Sequence, residues 1–273
     1  MGKNLALNIA DNGYHVAVFD LDTAKVNAAL EQEQQERKTG LAPRMQACNN
    51  LSEMLDKLVS PKVIVLSVPA GSIVDGICNT LIENGINSED IVIDTGNSLW
   101  TDTVEREAHY QGKFKFFSSA VSGGEVGARF GPSLMPSGDE SAWQYVAPIW
   151  NAIAAKVDSK TGLPIERFEP GNPVTEGEPC TTYIGPAGSG HYVKMVHNGI
   201  EYGMMQAIGE GFDLLEASEF DFDYKEVSKV WANGSIIEGL LMNTVVSAIN
   251  KDPKLDSIAG RVDDSGEGQW TIE

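Results

Sequence analysis

The sequence predicts an α/β domain with a doubly wound parallel sheet, followed by an all-helical domain. Short apolar runs have the length and composition of buried parallel strands, and they occupy residues 15–19, 63–68 and 91–93. Segments with helical periodicity alternate with these runs at residues 3–11, 23–37 and 73–83. This alternation is typical of a doubly wound sheet. A long apolar stretch without proline, residues 191–217, then predicts one buried helix.

The remaining segments complete a two-domain arrangement. We expect a fourth strand at residues 114–118, because this run is rich in aromatic residues. Residues 156–186 contain five prolines and several glycines, which predicts a loop or linker. Residues 224–250 have a helical pattern. The expected domains are therefore an α/β domain at residues 1–187 and a helical domain at residues 188–273.

The overall composition excludes several classes of protein. Apolar residues make up 42% of the 273 residues, which is enough for a buried core and argues against disorder. The net charge of −19 opposes binding to nucleic acid. The cysteines, Cys48, Cys78 and Cys180, are odd in number and widely spaced, so neither a disulfide framework nor a zinc site is expected. We expect no bound metal.

Neither a membrane span nor a signal peptide is predicted. No run approaches the roughly 18 apolar residues that a transmembrane helix needs. The first four residues are not followed by the apolar core and cleavage site of a secretory signal. The expected location is therefore the cytoplasm.

The first two elements suggest a dinucleotide-binding, Rossmann-like unit. Gly2 begins the first predicted helix, and the first predicted strand ends at Asp20, which is the spacing between the last glycine of a G-x-G-x-x-G turn and the acidic residue that binds ribose. An ordinary βαβ unit without a cofactor is the alternative. On the first interpretation the initial strand of the sheet is missing, and we expect a fragment or a misplaced start. Asp20, followed by Leu21 and Asp22 without an arginine, favours NAD over NADP.

The strongest chemical pattern lies on the long helix. Lys194, His197, Asn198 and Glu201 follow the i, i+3, i+4, i+7 spacing of one helix face, whereas most of the neighbouring positions are apolar. A polar stripe of this kind is costly unless it lines a cavity or is fully paired. The alternative is a buried Lys194–Glu201 ion pair with a satisfied core histidine. Flanking glycines, which permit close approach of a ligand or backbone, favour an active site.

Four segments together resemble one known family. They are VKMVHNGIEYG at residues 193–203, IDTGNS at 93–98, VSGGEVGARFGPSLM at 121–135 and VPAG at 68–71. In this order they are similar to the catalytic helix, a substrate turn, the substrate loop and the nicotinamide-side turn of 6-phosphogluconate dehydrogenases. The resemblance covers nearly the whole chain, and the helix motif is its most specific part.

The resemblance implies a mechanism and a set of site residues. Lys194 would be the general base for the C3 hydroxyl, and Glu201 the general acid that protonates C1 of the enediol formed by decarboxylation, which gives ribulose 5-phosphate. Substrate hydroxyls and carboxylate would be held by Asn97, Ser122, Gly123, Gly124, His197 and Asn198, with Tyr202 at the phosphate. NAD would contact Gly2, Asp20, Val68, Pro69, Ala70 and Asn97. The implied partner is a phosphorylated sugar acid, and the full-length protein is expected to be a homodimer.

Several positions depart from the NADP-using members of the family. Glu267, in the stretch SGEGQWT at residues 265–271, would oppose a phosphate, and Glu238 stands where relatives commonly carry arginine. The proline-rich insertion after Val157 is longer than expected. The chain would also lack later helices and a tail that complete a partner's site, so we expect these 273 residues to be inactive alone.

Two other functions remain open at this point. One is a β-hydroxyacid dehydrogenase acting on a compound such as 3-hydroxyisobutyrate, which shares the two-domain plan, the Gly-Gly loop and the lysine but has no counterpart of Glu201. The other is a catalytically inactive fragment or pseudoenzyme. Carbon dioxide release distinguishes the first from a 6-phosphogluconate dehydrogenase, and NAD binding tests the second.

Overall fold

The chain forms two compact units, Met1–Met195 and Val196–Glu273. The computed structural model describes residues 1–259 and 268–272. The division between the units falls within one long helix, Ser189–Glu216. The domain boundary expected between residues 187 and 188 stays a prediction.

Helices and strands alternate along most of the first unit. In chain order they are α1 (Gly2–Asp11), β1 (Val16–Val18), α2 (Thr23–Glu36), β2 (Met45–Ala47), α3 (Leu51–Lys57), β3 (Val63–Leu66), α4 (Ser72–Glu83), β4 (Ile91–Asp94), α5 (Trp100–Tyr110), β5 (Lys115–Ser122), α6 (Gly124–Phe130), β6 (Ser133–Gly138) and α7 (Glu140–Ile153). The four predicted strands and three predicted helices are confirmed as β1, β3, β4, β5, α1, α2 and α4. The segment expected to be a single substrate loop, residues 121–135, contains the end of β5, helix α6 and the start of β6.

Strands β1 to β6 form two separate sheets. β1 pairs with β2 in parallel, and a four-stranded sheet has the order β3-β4-β5-β6. β3, β4 and β5 are parallel, as predicted, whereas β6 is antiparallel to β5. The doubly wound α/β class expected from the sequence is confirmed, with an antiparallel edge strand that the apolar pattern did not predict.

β4 lies at the centre of the core because its side chains are buried on both faces of the sheet. Ile91, Val92 and Ile93 are each fully buried. Ile91 and Ile93 belong to one apolar cluster together with Trp150, and Val92 belongs to another that includes Phe116. Alternate residues of a strand point to opposite faces, so the continuous apolar run of β4 fills both layers.

The proline-rich insertion is folded, which corrects the prediction of a loop over residues 156–186. It contains β7 (Lys156–Val157), β8 (Pro164–Ile165) and β9 (Glu178–Pro179), in an antiparallel sheet of order β8-β7-β9. Both prolines of this sheet lie on its edge strands, where a missing N–H breaks no ladder hydrogen bond. The prolines therefore shape the edges of the insertion without preventing pairing.

A buried ion cluster joins α1, α2, α6 and the insertion. Arg129 donates to Asp11 and Glu36 at 2.6 Å each, and Arg167 also donates to Asp11. Fully buried Asn8 donates to the carbonyl oxygens of Ala128 and Ile153. Because each buried arginine has a carboxylate partner, the cluster can hold α6 against α1 without an isolated charge.

The second unit is helical in its described part. α8 (Ser189–Glu216), which begins in the first unit, is followed by α9 (Tyr224–Trp231), α10 (Leu240–Lys251) and a 3-10 turn at Gln269–Thr271. The long helix is confirmed, but the expectation that it is buried throughout is wrong, because no residue from 199 to 216 is buried and apolar side chains such as Ile200 and Leu214 are exposed. The helical pattern predicted across residues 224–250 is interrupted where Gly234 and Gly239 adopt φ of 76° and 154°. Both positive φ values lie between α9 and α10, and Gly239 is the residue directly before α10.

Two features are absent from the part of the chain that the structure describes. Within residues 1–259 and 268–272, no helix has the length and hydropathy required to cross a bilayer. The same residues contain no cluster of three or more histidine, cysteine or carboxylate side chains placed to bind a metal.

Glu107 on α5 is a carboxylate held in an unfavourable position. Its Oε2 atom lies 3.2 Å from where a Cβ on Gly138 would stand. Within the described part of the chain, this buried oxygen has no hydrogen-bond partner. Burial, with the negative charge of Asp139, raises the pKa of Glu107 to about 7.

We predict that Glu107→Gln stabilises the protein in a pH-dependent manner. The folded state binds the Glu107 proton more tightly than the unfolded state, so its stability falls as pH rises from about 4.5 to about 7. The variant should melt a few degrees above the parent at pH 8, and the difference should shrink towards pH 5. Glu105→Gln, exposed on the same helix, is the matched control. Equal Tm differences at both pH values would contradict the assignment.

Candidate functional site

The polar stripe predicted on the long helix lies on α8. Lys194 and Asn198 are 7% and 5% exposed, so both belong to buried surface rather than to a solvated face. His197 and Glu201 are partly exposed, and His197 Nδ1 lies 3.6 Å from Glu201 Oε2. His197 Nδ1 is also 3.2 Å from Asn198 Oδ1. The helix thus presents an amine, an imidazole, an amide and a carboxylate within about two turns of one face.

The first turn of α8 is packed tightly against the sheet. The Gly190 N–H donates to Ser137 Oγ on β6 at 2.9 Å. A Cβ on Gly190 would lie 2.1 Å from the Met135 carbonyl oxygen, and one on Gly188 would lie 2.8 Å from the Trp100 carbonyl oxygen. The expectation that these glycines permit close approach is confirmed for backbone: they let the helix start directly on β6 and α5.

The turn after β4 holds Asn97 in a fixed frame. Buried Asp94 accepts from the Gly96 N–H at 2.9 Å and from Ser98 Oγ at 2.5 Å. Thr95 Oγ1 donates to the Leu66 carbonyl at the end of β3. A Cβ at Gly96 would be 3.0 Å from the Val68 carbonyl oxygen, so the turn lies directly beside the chain that follows β3.

His191 is a site-adjacent residue that the sequence analysis did not identify. It is 2% exposed, and burial lowers its pKa, although Asp94 acts in the opposite direction. Its Nδ1 lies 2.7 Å from Thr103 Oγ1, and its Nε2 lies 3.1 Å from the Gly96 carbonyl oxygen. The only available sequence signal was its position three residues before Lys194 on the same helix.

The Gly-Gly turn follows β5, as expected. Gly123 and Gly124 have φ of 107° and 65°, which other residues rarely adopt. A Cβ on Gly123 would stand 3.1 Å from Gly127 Cα. Ser122 ends β5, and α6 starts at Gly124, so the two glycines turn the chain from the strand into the helix.

Predicted substrate and cofactor residues of the first unit share one edge of the sheet. Val68, Pro69 and Ala70 follow β3, Asn97 follows β4, and Ser122 and the glycine pair end β5. These strands are parallel, so their carboxyl ends meet at the same edge. Ligands of doubly wound folds bind outside this edge.

The residues expected to hold the dinucleotide have suitable surroundings. Asp20 follows β1 and is 44% exposed in its side chain; its Oδ1 accepts from the Asp22 N–H at 2.8 Å. A partly exposed carboxylate at this position suits ribose hydroxyl groups. At the start of α1, a Cβ on Gly2 would lie 2.9 Å from Ser67 Oγ. The helix therefore begins close against the residue that follows β3.

Tyr202 lies in the part of α8 that belongs to the second unit. Its ring is 44% exposed and packs against residue 268, where a Cβ would come within 2.4 Å of Tyr202 Cε2. Glu267, which the sequence analysis expects to oppose a phosphate, lies outside the described residues.

We predict that Gly190→Ala is strongly destabilising. The added methyl must displace the Met135 carbonyl, so we expect a loss of roughly 1–3 kcal/mol or more in the free energy of unfolding. Gly76→Ala on α4 is the matched control, because its Cβ would meet no atom within 4 Å; it should raise stability by about 0.5–1 kcal/mol. Urea unfolding of both variants checks this. Equal stability of the two would show that α8 does not start against β6.

Two family models match the chain. Residues 1–162 match the NAD binding domain of 6-phosphogluconate dehydrogenase, and residues 190–219 match the C-terminal domain of the same family. Among solved structures, the *Plasmodium falciparum* 6-phosphogluconate dehydrogenase superposes with a TM-score of 0.79 at 28% identity, over 100% of this chain and 55% of that one. A 3-hydroxyisobutyrate dehydrogenase of *Mycobacterium tuberculosis* has a TM-score of 0.61 at 19% identity, over 90% and 71%, and this likeness concerns the fold alone.

Curated relatives give the same result. The decarboxylating 6-phosphogluconate dehydrogenase of *Candida albicans* is 38% identical over 99% of this chain and 49% of its own length. The putative 6-phosphogluconate dehydrogenase YqeC of *Bacillus subtilis* is 36% identical over 100% of this chain and 80% of its own length. The chain spans about half the length of most of the curated relatives it matches. By family model and by relatives, the chain belongs to the 6-phosphogluconate dehydrogenase family.

Proposed function

We propose that the protein oxidises and decarboxylates 6-phosphogluconate, with NAD as hydride acceptor, to give ribulose 5-phosphate and carbon dioxide. The observation that carries this proposal is the stripe of Lys194, His197, Asn198 and Glu201 along α8. Relatives named as decarboxylating 6-phosphogluconate dehydrogenases support the same reaction. A homodimer and a cytoplasmic location stay predictions.

Lys194 is proposed as the general base. It takes the proton of the C3 hydroxyl while the C3 hydrogen leaves as hydride, and bound NAD supplies the acceptor for that hydride. A lysine must be neutral for this step, and burial in general disfavours its charged form. Lys194 is 7% exposed, so its side chain lies on buried surface of α8. The resulting β-keto acid carries its carbonyl at C3, where the protonated amine stabilises developing negative charge.

Glu201 is proposed as the general acid of the second half of the reaction. The bond from C1 to C2 breaks, carbon dioxide leaves, and the electron pair forms an enediol with the C3 carbonyl. Glu201 then donates a proton to the carbon that carried the carboxylate. Seven residues separate it from Lys194, which places the two side chains about two helical turns apart on one face. Acid and base therefore act at different carbons of one substrate.

The remaining site residues are proposed to position the substrate. Asn97, Ser122 and the backbone of Gly123 and Gly124 supply donors at the sheet edge for hydroxyls and carboxylate. On α8 the corresponding groups are His197, Asn198 and, towards the phosphate, Tyr202. The *Plasmodium falciparum* structures include complexes with NADP+ and with 6-phosphogluconate, which supports this substrate class.

NAD is proposed over NADP because of the residues after β1. Asp20 would accept hydrogen bonds from ribose hydroxyls but repel a 2′-phosphate, and Leu21 is 93% exposed without offering a cation. Gly2, Val68, Pro69, Ala70 and Asn97 would complete the cofactor contacts. One *Bacillus subtilis* relative is named NADP+-dependent, so relatives do not decide between the two cofactors.

The catalytic assignment predicts that Lys194→Met lowers kcat by about 10³-fold or more, because the amine that takes the C3 hydroxyl proton is removed. Glu201→Gln should lower kcat by about 10²–10⁴-fold while leaving NAD affinity unchanged. NADH formation from 6-phosphogluconate is measured in the full-length protein. Lys229→Met on α9, where the side chain is 64% exposed, is the matched control and should keep parental kcat. Parental turnover by Lys194→Met would rule out the proposed base.

The cofactor assignment predicts that calorimetry detects NAD binding at least tenfold tighter than NADP binding. Asp20→Asn combined with Leu21→Arg should reverse this order, because repulsion is removed and a phosphate partner is added. Leu163→Arg, exposed in the insertion, controls for added positive charge. Tighter NADP binding by the unmodified protein would contradict the role of Asp20.

A further inference from the structure

We infer that His191 is a positioning residue that joins the base-bearing helix to the turn carrying Asn97, and this inference rests on the proposed function. His191 is three residues before Lys194 on α8, so both lie on one face of the helix. Its ring contacts two other elements, α5 through Thr103 and the turn after β4 through Gly96. One buried side chain therefore spans the distance between two parts of the proposed site.

The ring partners define the tautomer. The Gly96 carbonyl can only accept, so His191 Nε2 carries the hydrogen and donates to it. In a neutral imidazole Nδ1 then accepts, and the Thr103 hydroxyl at 2.7 Å is its donor. The Thr103 hydroxyl is farther, 3.2 Å, from its alternative acceptor, the Leu99 carbonyl. Burial favours the uncharged ring against the opposing effect of Asp94, in agreement with this arrangement.

The bond to Gly96 has a consequence for Asn97. Asp94 already holds the Gly96 N–H, and His191 holds the Gly96 carbonyl, so both polar backbone groups of Gly96 are fixed. The Gly96 carbonyl and the Asn97 N–H belong to the same planar trans peptide and point in opposite directions. His191 thereby fixes the orientation of the Asn97 N–H. No other hydrogen bond to the Gly96 carbonyl is recorded among the described residues.

The start of α8, from which His191 extends, is equally constrained. Gly190, directly before His191, donates to Ser137 and has no space for a Cβ beside Met135. The first turn of α8 cannot rotate without breaking these contacts. His191 is thus held on a fixed helix start. Through its hydrogen bond to Gly96 it fixes the turn that carries Asn97 relative to the face of α8 that carries Lys194.

Two substitutions distinguish the positioning role of His191 from a general effect on the stability of the protein. His191→Gln can keep a donor near the Nε2 position for Gly96, whereas His191→Asn can keep only a group near Nδ1 for Thr103. In the full-length protein we expect kcat with 6-phosphogluconate to fall about 10- to 100-fold in His191→Asn. His191→Gln should remain within about fivefold of the parent. His109→Asn, exposed on α5, is the control and should have parental kcat.

Thr103 provides an independent pair. Thr103→Val preserves shape but removes the donor to Nδ1, and Thr103→Ser restores it, so kcat should fall in the first variant and recover in the second. Circular dichroism and Tm establish that each variant is folded. Parental kcat in folded His191→Asn, or equal losses in the asparagine and glutamine variants, would overturn the inference.

A readout without turnover keeps the inference distinct from the proposed reaction. ¹⁵N spectra of the parent should show a neutral His191 ring protonated at Nε2. The Asn97 amide resonance should shift in His191→Asn and return towards the parental position in His191→Gln. A parent that forms no NADH from 6-phosphogluconate but shows these spectra refutes the reaction and leaves the His191 link standing. An Nδ1-protonated ring, or an Asn97 amide unaffected by His191→Asn, refutes the link.

Discussion

Parallel pairing of β3, β4 and β5 places the carboxyl ends of all three strands at one edge of the sheet, and the proposed site depends on that edge. The pairing is stable because β4 is buried on both faces, with Ile91 and Ile93 in one cluster and Val92 in the other. Short turns at the three strand ends then carry the proposed ligands of substrate and cofactor.

Close backbone contacts connect this edge to the start of α8. The helix starts against β6 because Gly190 lacks a side chain, and His191 extends from that start to the Gly96 carbonyl. Asp94 fixes the same turn, because its carboxylate accepts hydrogen bonds from the Gly96 N–H and from Ser98 Oγ. The start of α8, which carries Lys194, and a polar turn on the sheet are thus placed by a few buried hydrogen bonds, which in a low-dielectric interior are costly to break.

Local patterns in the sequence were sufficient to predict elements with a continuous apolar or proline-free run. The continuous apolar run of β4 and the proline-free stretch of α8 predicted both elements, and the spacing of Lys194 and Glu201 predicted their common face. β6 was not predicted because Pro136 and two serines break its apolar pattern; it tolerates them as the edge strand of its sheet. The short strands of the insertion were missed for a similar reason, since prolines at its edges are typical of loops in sequence.

Long-range partners could not be predicted from local patterns. His191 bonds to Thr103 and Gly96, which are 88 and 95 residues away, and Arg129 pairs with Asp11 and Glu36, 118 and 93 residues away. Arg129 stood in the segment that resembles the substrate loop, yet its side chain is buried in the ion cluster behind the turn. Such roles follow from which elements the fold brings together rather than from spacing along the chain.

The most direct test of the account is the fate of the first carbon of the substrate. 6-Phosphogluconate labelled at C1 is supplied with NAD to the full-length protein, and labelled carbon dioxide and NADH are measured together. The account predicts one labelled carbon dioxide for each NADH, with none from a substrate labelled at C2. NADH formation without labelled carbon dioxide would contradict it, because the oxidation would then not lead to decarboxylation.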